Sequence, residues 1–117
     1  MEQIEQIYFN EFGVSFYWKK GEETLSDRVQ LVFKETGFYF SSEELDCFID
    51  LIDASYYRMK CEGCNFRNSC GKFLLKTPFE HIDLAVSVKE LTEIKDLVEG
   101  TLFQIRLDTY LNDICKN

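Results

Sequence analysis

Two short strings, Ser41-Ser42-Glu43-Glu44 and Ser87-Val88-Lys89-Glu90, constrain the fold of this chain more than any other part of it. Each reads as a capping box. The serine hydroxyl accepts from an orphan backbone N–H of a new helix, and the glutamate three residues on reaches back to the serine N–H. Apolar residues at helical spacing follow both boxes: Leu45, Phe48, Ile49, Ile52 and Tyr56 after the first, Leu91, Ile94, Leu97 and Val98 after the second. Strand-like segments precede both. Val29, Leu31 and Phe33 alternate with Gln30 and Lys34; Lys34-Glu35-Thr36-Gly37 has turn chemistry, with Gly37 free to take positive φ; Phe38-Tyr39-Phe40 returns. In the second half Phe73-Leu74-Leu75 reads as a strand and Thr77-Pro78 as a turn. Ile82 to Val86 reads as a strand with Ile82, Leu84 and Val86 inward.

Laid over each other with Ser41 on Ser87, the halves match at Phe33/Phe79, Ser41/Ser87, Glu44/Glu90, Leu45/Leu91, Asp50/Asp96 and Leu51/Leu97. They read as two ββα units. The identities fit duplication and shared helix-start grammar equally well. Upstream, Ile7 to Trp18 is aromatic and β-branched, interrupted by Asn10-Glu11-Phe12-Gly13 as a hairpin turn or a bulge, and Lys19 to Asp27 reads as a charged loop. The first helix is expected to run to about Lys60. At Gly100 two readings stay open: a helix end with Thr101 and Gln104 as a fresh capping box, or one helix continuing through the glycine at about 1 kcal/mol. The expected fold is α+β in a single domain over 1–117, an antiparallel sheet with two principal helices on one face. Strands and the first ββα unit occupy about 1–60, a cysteine loop 61–70, and the second ββα unit about 71–117.

Composition bounds the function. The chain is 45% hydrophobic with eleven Phe and six Tyr, the apolar surface of a folded domain, and its 117 residues suffice for a core without disulfides. So many aromatics for so small a core suggest an exposed apolar patch and a homodimer or another protein partner. A net charge of −8 opposes phosphate backbones and anionic lipid, so neither nucleic acid nor membrane is an expected partner. Arg58, Lys60, Arg67, Lys72 and Lys76 stand against only Glu62 between positions 58 and 76, which reads as a solvated rim. Without an 18-residue apolar run or a signal peptide at Met1-Glu2-Gln3-Ile4-Glu5, the expected compartment is cytoplasmic and reducing.

In that compartment Cys61-Glu62-Gly63-Cys64-Asn65-Phe66-Arg67-Asn68-Ser69-Cys70, a C-x2-C-x5-C loop, points to metal or free thiols before disulfides. The C-x2-C pair lets two thiolates grip one ion from a tight turn, Gly63 permits the bend, and Cys70 lies close enough to join. For a fourth ligand, Cys47 lies far up the first helix beside Phe48 and reads as a buried small hydrophobe. His81 falls on the outer face of a strand, too far along it. Cys115 returns only if the chain doubles back at Gly100. The candidate metal set is therefore Cys61, Cys64, Cys70 and Cys115, for zinc ahead of an iron–sulfur cluster, with no bound metal equally compatible. Catalysis has little support. His81 is the only histidine and reads as exposed, no Gly-rich phosphate loop is present, and the acidic pairs Asp50/Asp53 and Glu93/Asp96 read as solvated charge.

Two resemblances add to this. Cys61 to Cys70 resembles the C-x2-C-x-aromatic-Arg-x-x-C corner that holds iron–sulfur clusters in some nucleases and radical enzymes. Over nearly its whole length the chain resembles a small uncharacterised family found in Bacteroidetes. That likeness is carried by Phe38-Tyr39-Phe40-Ser41-x-x-Glu44-Leu45, the cysteine loop, Leu74-Leu75-Lys76-Thr77-Pro78, Leu84-Ala85-Val86-Ser87-x-x-Glu90-Leu91 and Glu99-Gly100-Thr101-Leu102-Phe103. It implies a stand-alone cytoplasmic domain of unknown function and no catalytic assignment. The leading functional expectation is a non-enzymatic protein-contact domain with a metal-pinned loop. The alternatives are a thiol-based redox or metal sensor using the same loop, and a small enzyme with an unrecognised site.

Overall fold

A computed structural model describes residues 3–62 and 72–115. Strands β1 (Gln3–Phe9), β2 (Gly13–Lys20), β3 (Glu23–Phe33) and β4 (Thr36–Ser41) form a four-stranded antiparallel meander in chain order. Helix α1 (Ser42–Glu62) follows, then a separate hairpin of β5 (Phe73–Lys76) and β6 (Asp83–Val86), then helix α2 (Val88–Cys115). The fold is α+β, with both helices on one face of the large sheet.

Both capping boxes form as read. Ser41 Oγ accepts from Glu44 N at 3.2 Å while Glu44 Oε1 accepts from Ser41 N at 2.8 Å; Ser87 and Glu90 repeat this at 3.1 and 2.9 Å. The alternation in β3 also holds, since Val29, Leu31 and Phe33 are buried facing Phe38 and Phe40 of β4. Against that face pack Leu45, Phe48 and Ile52 from α1 and Leu91, Ile94, Leu97 and Val98 from α2. Phe79, in the turn between β5 and β6, stacks on the rings of Phe38 and Phe40 and seals one end of the core.

Four local readings are corrected. Lys19 to Asp27 is no loop: β2 and β3 continue into a long hairpin that closes at Gly21-Glu22, with Gly21 at φ 63°. The charges there mark the exposed end of the sheet, where β1 still pairs with β2 as far as Lys19. In the β3–β4 turn, Lys34 and Glu35 take positive φ (50° and 62°), as a two-residue hairpin closure demands at both positions, and Gly37 is instead a β4 residue opposite Val32. Lys34 Nζ reaches Glu90 Oε2 at 2.9 Å and the Ala85 carbonyl at 3.3 Å, contacts that offset the left-handed backbone. Ile82 precedes β6 and stays 47% exposed, so only Val86 of that strand's expected inward set is fully buried. Asp53 and Asp96 are not idle charge. Asp53 accepts from Lys95 at 2.7 Å, and Asp96 accepts from Tyr8 Oη and Asn10 Nδ2, both at 2.9 Å.

At Gly100 the continuous reading holds, because α2 runs unbroken from Val88 to Cys115. The glycine is there for close approach. A Cβ at this position would run into the Tyr8 ring from β1, at Cε2 and Cζ. One residue on, Thr101 is fully buried and starts no new cap. Its hydroxyl lies 2.7 Å from the Leu97 carbonyl and 2.6 Å from the Ser15 hydroxyl of β2, which also reaches the Tyr8 carbonyl at 3.3 Å. Salt bridges from Lys95 to Asp53 and from Arg106 to Asp46 show that α1 and α2 run antiparallel.

Two outcomes follow from these contacts. Replacing Gly100 by Ala improves intrinsic helix propensity by about 1 kcal/mol but overpacks against Tyr8, a cost of about 1–3 kcal/mol. In chemical denaturation Gly100→Ala should therefore be neutral to destabilising alone and stabilising in a Tyr8→Ala background, a sign reversal that a double-mutant cycle reads directly. Glu90 is held down to about 2 from an ordinary 4.5, first by the hydrogen bond from Lys34, then by the Ser87 N–H and Lys72, against the opposing effect of burial. A depressed carboxylate contributes stability that is present above its unfolded value and is lost as pH falls. Glu90→Gln should accordingly flatten the fall of melting temperature between pH 4.5 and about 2.

Candidate functional site

The residues expected to carry chemistry lie apart or outside the described part of the chain. Cys64 and Cys70 fall outside the described residues, as do the side chains of Cys61 and Cys115. The backbone of Cys61 lies in the last turn of α1, and Cys115 is the last residue of α2. Because the helices are antiparallel and α2 does not double back, those two ends are separated by nearly the length of α2, and Cys115 has no described route to Cys61. Cys47 is exposed, a correction to its reading as a buried hydrophobe. It sits on α1 between Glu43 and Asp50 rather than on the Leu45–Phe48–Ile52 stripe, one helical step away from the core side. His81 is exposed, in the turn before β6 rather than on the strand. Among the described residues no group of three or more His, Cys, Asp or Glu is arranged to hold a metal ion.

What the fold does assemble is the far side of the four-stranded sheet. Register places three rows of side chains there. Phe9, Val14 and Val32 line up opposite Gly37; Gln6, Phe16, Gln30 and Tyr39 form the next row; Ile4, Trp18 and Leu25 form the last. Neither helix covers this side. An antiparallel sheet with one solvated face ordinarily presents polar residues there, yet Phe9 is 64% exposed, Ile4 46%, Tyr39 41% and Leu25 37%.

Within it lies a defined groove of about 630 Å³, lined by Trp18, Lys19, Lys20, Leu25, Gln30 and Tyr39. Its walls are held from behind. A register shift in the β2–β3 ladder between Phe16 and Trp18 inserts extra β3 residues before Gln30. Trp18 packs edge-on against Phe16, with centroids 5.1 Å apart, and donates Nε1–H to Gln30 Oε1 at 3.1 Å. Gln30 Nε2 in turn donates to the Phe38 carbonyl at 3.2 Å. Gly37 leaves room for that amide; a Cβ there would stand 2.9 Å from Nε2 and nudge the end of the Gln30 side chain. On the other wall the Arg28 guanidinium sits 5.7 Å from the centre of the Tyr39 ring, and its Nη1 donates to the Tyr39 carbonyl at 3.3 Å and to Glu44 at 3.1 Å.

A second cleft, of about 510 Å³, opens at the sheet's opposite side between the strands and the end of α2, where Glu5, Tyr17 and Asp108 face one another. Burial first, then the charges of Asp108 and Glu5, push the Tyr17 hydroxyl up from its ordinary 10.0, so the phenol stays protonated at neutral pH and offers neither base nor nucleophile. Beyond it, Phe103, Tyr110 and Ile114 recur along the exposed side of α2. No described helix is long and apolar enough to cross a membrane. Compared with protein-family models, with curated proteins and with solved structures, the chain matches none.

The expectation of an exposed apolar patch rested on aromatic count. Its position could not be read, because the strand phase slips at two irregularities, between Gln6 and Tyr8 and between Phe16 and Trp18. The one local signal was the Phe16-Tyr17-Trp18-Lys19-Lys20 string, in which rings and ammonium groups adjoin.

Proposed function

We propose that this protein is a non-enzymatic contact domain that docks another polypeptide on the uncovered side of its four-stranded sheet. The observation that carries the reading is the exposure of Ile4, Phe9, Leu25 and Tyr39 together on one face that neither described helix covers. Apolar groups left in water across three strands cost free energy that burial against a partner recovers, at about 25 cal/mol per Å² of apolar surface. Nucleic acid is disfavoured by the net charge of −8. A small-molecule reaction would need converging titratable groups, and none line the groove except two lysines.

The test is reconstitution. Phe9→Ser with Tyr39→Ser should leave the protein folded, with a modest fall in melting temperature because Tyr39 is more than half covered, and should abolish a stoichiometric complex rebuilt from purified components. Asp46→Ala and Cys47→Ser, on the helix side, should leave the complex intact. A complex indifferent to the sheet variants and broken by the helix variants would overturn the reading. If the partner is a second copy, sedimentation shows a concentration-dependent dimer lost in the same double variant.

The cysteine loop supports a subsidiary proposal, that Cys61, Cys64 and Cys70 pin the joint between α1 and β5 through zinc. What supports it is the C-x2-C-x5-C spacing of a triplet whose first cysteine lies in the last turn of α1 and which is followed in the chain by the hairpin that helps to close the core. Elemental analysis of untagged protein should give about one zinc per chain, lost in Cys64→Ser together with thermal stability. Protein free of metal, with an unchanged melt in the variant, would sink the proposal.

A further inference from the structure

We infer that the C-terminal half of α2 is a self-association surface, on which a second copy of this chain packs its own α2 antiparallel across a two-fold axis. The surface lies on the helix side of the molecule and is independent of the contact face on the open side of the sheet.

The seam begins with spacing. Phe103, Leu107, Tyr110 and Ile114 recur at intervals of four, three and four residues, and at 3.6 residues per turn they fall within about 60° of one another around the helix. That stripe points away from the core, because the buried residues Ile94, Leu97, Val98 and Thr101 occupy the opposite side of α2. Phe103, Tyr110 and Ile114 are 62%, 62% and 51% exposed, and Leu107, at the edge of the stripe, is partly buried. From Asp108 to Ile114 every residue is exposed, so the last two turns of α2 contribute nothing to the core. α1 begins one turn before Asp46, the ion-pair partner of Arg106, and leaves these turns uncovered. Helical turns without packing are marginal in water, and a facing helix supplies the contact they lack.

A second copy is selected because the stripe is its own complement. Its spacing reads the same in both directions about a centre between Leu107 and Tyr110. Antiparallel pairing about that centre sets Phe103 against Ile114 of the second copy and Leu107 against Tyr110 of the second copy. Symmetry repeats both contacts, so an aromatic ring meets an aliphatic side chain in every layer. The charges match as well. Arg106 and Asp113 share one flank of the stripe, two turns apart, and antiparallel pairing brings each beside the other's counterpart on the second copy. Asp46 engages only Nη2 of Arg106, at 3.5 Å, and a guanidinium has further donors to give. A parallel pair would instead set Arg106 beside Leu111 of the second copy and crowd both globular bodies at the same end of the seam. Closing the stripe and its flanks removes roughly 1,000 Å² of surface from the two copies together, at the low end for a specific interface, so the dimer is weak and reversible.

Sedimentation equilibrium of the full chain between about 1 μM and about 1 mM tests the inference. The expected result is a dimer with a dissociation constant on the order of 10–100 μM. Tyr110→Glu, at an exposed position, should leave the dilute protein folded with little change in melting temperature and should abolish the dimer. Arg106→Asp and Asp113→Arg should each weaken it about fivefold or more by setting like charges together, the second even though it lowers the net negative charge that opposes association. Both exchanges in one chain should restore the parent affinity to within about twofold, a rescue that only an antiparallel seam produces. Phe9→Ser with Tyr39→Ser should dimerise as the parent does. A chain that stays monomeric at about 1 mM, a dimer indifferent to Tyr110→Glu, or a double charge exchange without rescue would each overturn the inference. A dimer lost only in Phe9→Ser with Tyr39→Ser would belong to the sheet face, overturning the helix seam while supporting the contact reading.

Discussion

Everything in this fold depends on how closely α2 can lie against β1 and β2. The approach is set where Gly100 admits the Tyr8 ring and Thr101 meets Ser15 across 2.6 Å. A side chain at 100 would press on the Tyr8 ring, and a non-polar residue at 101 would leave the buried Ser15 hydroxyl with only the longer contact to the Tyr8 carbonyl at 3.3 Å. The same seam is tied at its other end by Asn10. Its Nδ2 donates to Asp96 and to the Glu93 carbonyl, while its Oδ1 accepts from the Phe12 and Gly13 amides of the β1–β2 turn. With α2 pinned over β1 and β2, α1 has only β3 and β4 left to cover, and it runs back antiparallel beside its partner. Both helices are then committed to one side of the sheet. The other side is left open by geometry, whatever residues it carries.

How much of this was legible depended on how local the cause was. The helix starts were plain because a capping box is complete within four residues, and both boxes close as their sequences imply. The inward set of β3 was plain because Val29, Leu31 and Phe33 sit in an unbroken stretch of ladder. Gly100 stayed ambiguous because its reason is Tyr8, ninety-two positions away, and no local rule weighs a ring arriving from another element against helix propensity. The β2–β3 ribbon was mistaken for a loop because Glu, Lys and Asp are poor strand formers on average, although cross-strand pairing through Lys20↔Glu23 holds them in register. Gly37 illustrates the reverse error. A glycine near a turn invites a positive φ, yet here the turn strains Lys34 and Glu35, and the glycine serves a side chain from the next strand. Cys47 looked buried because its neighbour Phe48 is, but adjacent helix residues diverge by about 100°.

The candidate surface was legible only as a total. Eleven Phe and six Tyr exceed what the inner face consumes, and the excess had to go somewhere. Its location needed the two ladder irregularities in β1–β2 and β2–β3, which shift the phase of every residue beyond them. The charge on Glu90 shows the same dependence on context. Its capping role is written in the sequence, but its deep acid shift comes first from Lys34, delivered by a turn in the other half of the chain.

The groove itself argues that the open side is more than surplus apolar surface. Surplus hydrophobes on a sheet need no restraint, and their rings would be free to collapse onto one another. Here Trp18 is instead held by a relay of hydrogen bonds. The indole donates to Gln30, Gln30 donates to the Phe38 carbonyl, and Gly37 clears the path the amide takes across β4. On the opposite wall Arg28 divides its donors between the Tyr39 carbonyl and Glu44, the residue that also caps α1. The wall is thus tied to the helix start that the whole fold requires. Aromatic side chains tied by hydrogen bonds and a cation contact to a sheet are the arrangement by which a site meets the ordering cost of binding before its ligand arrives.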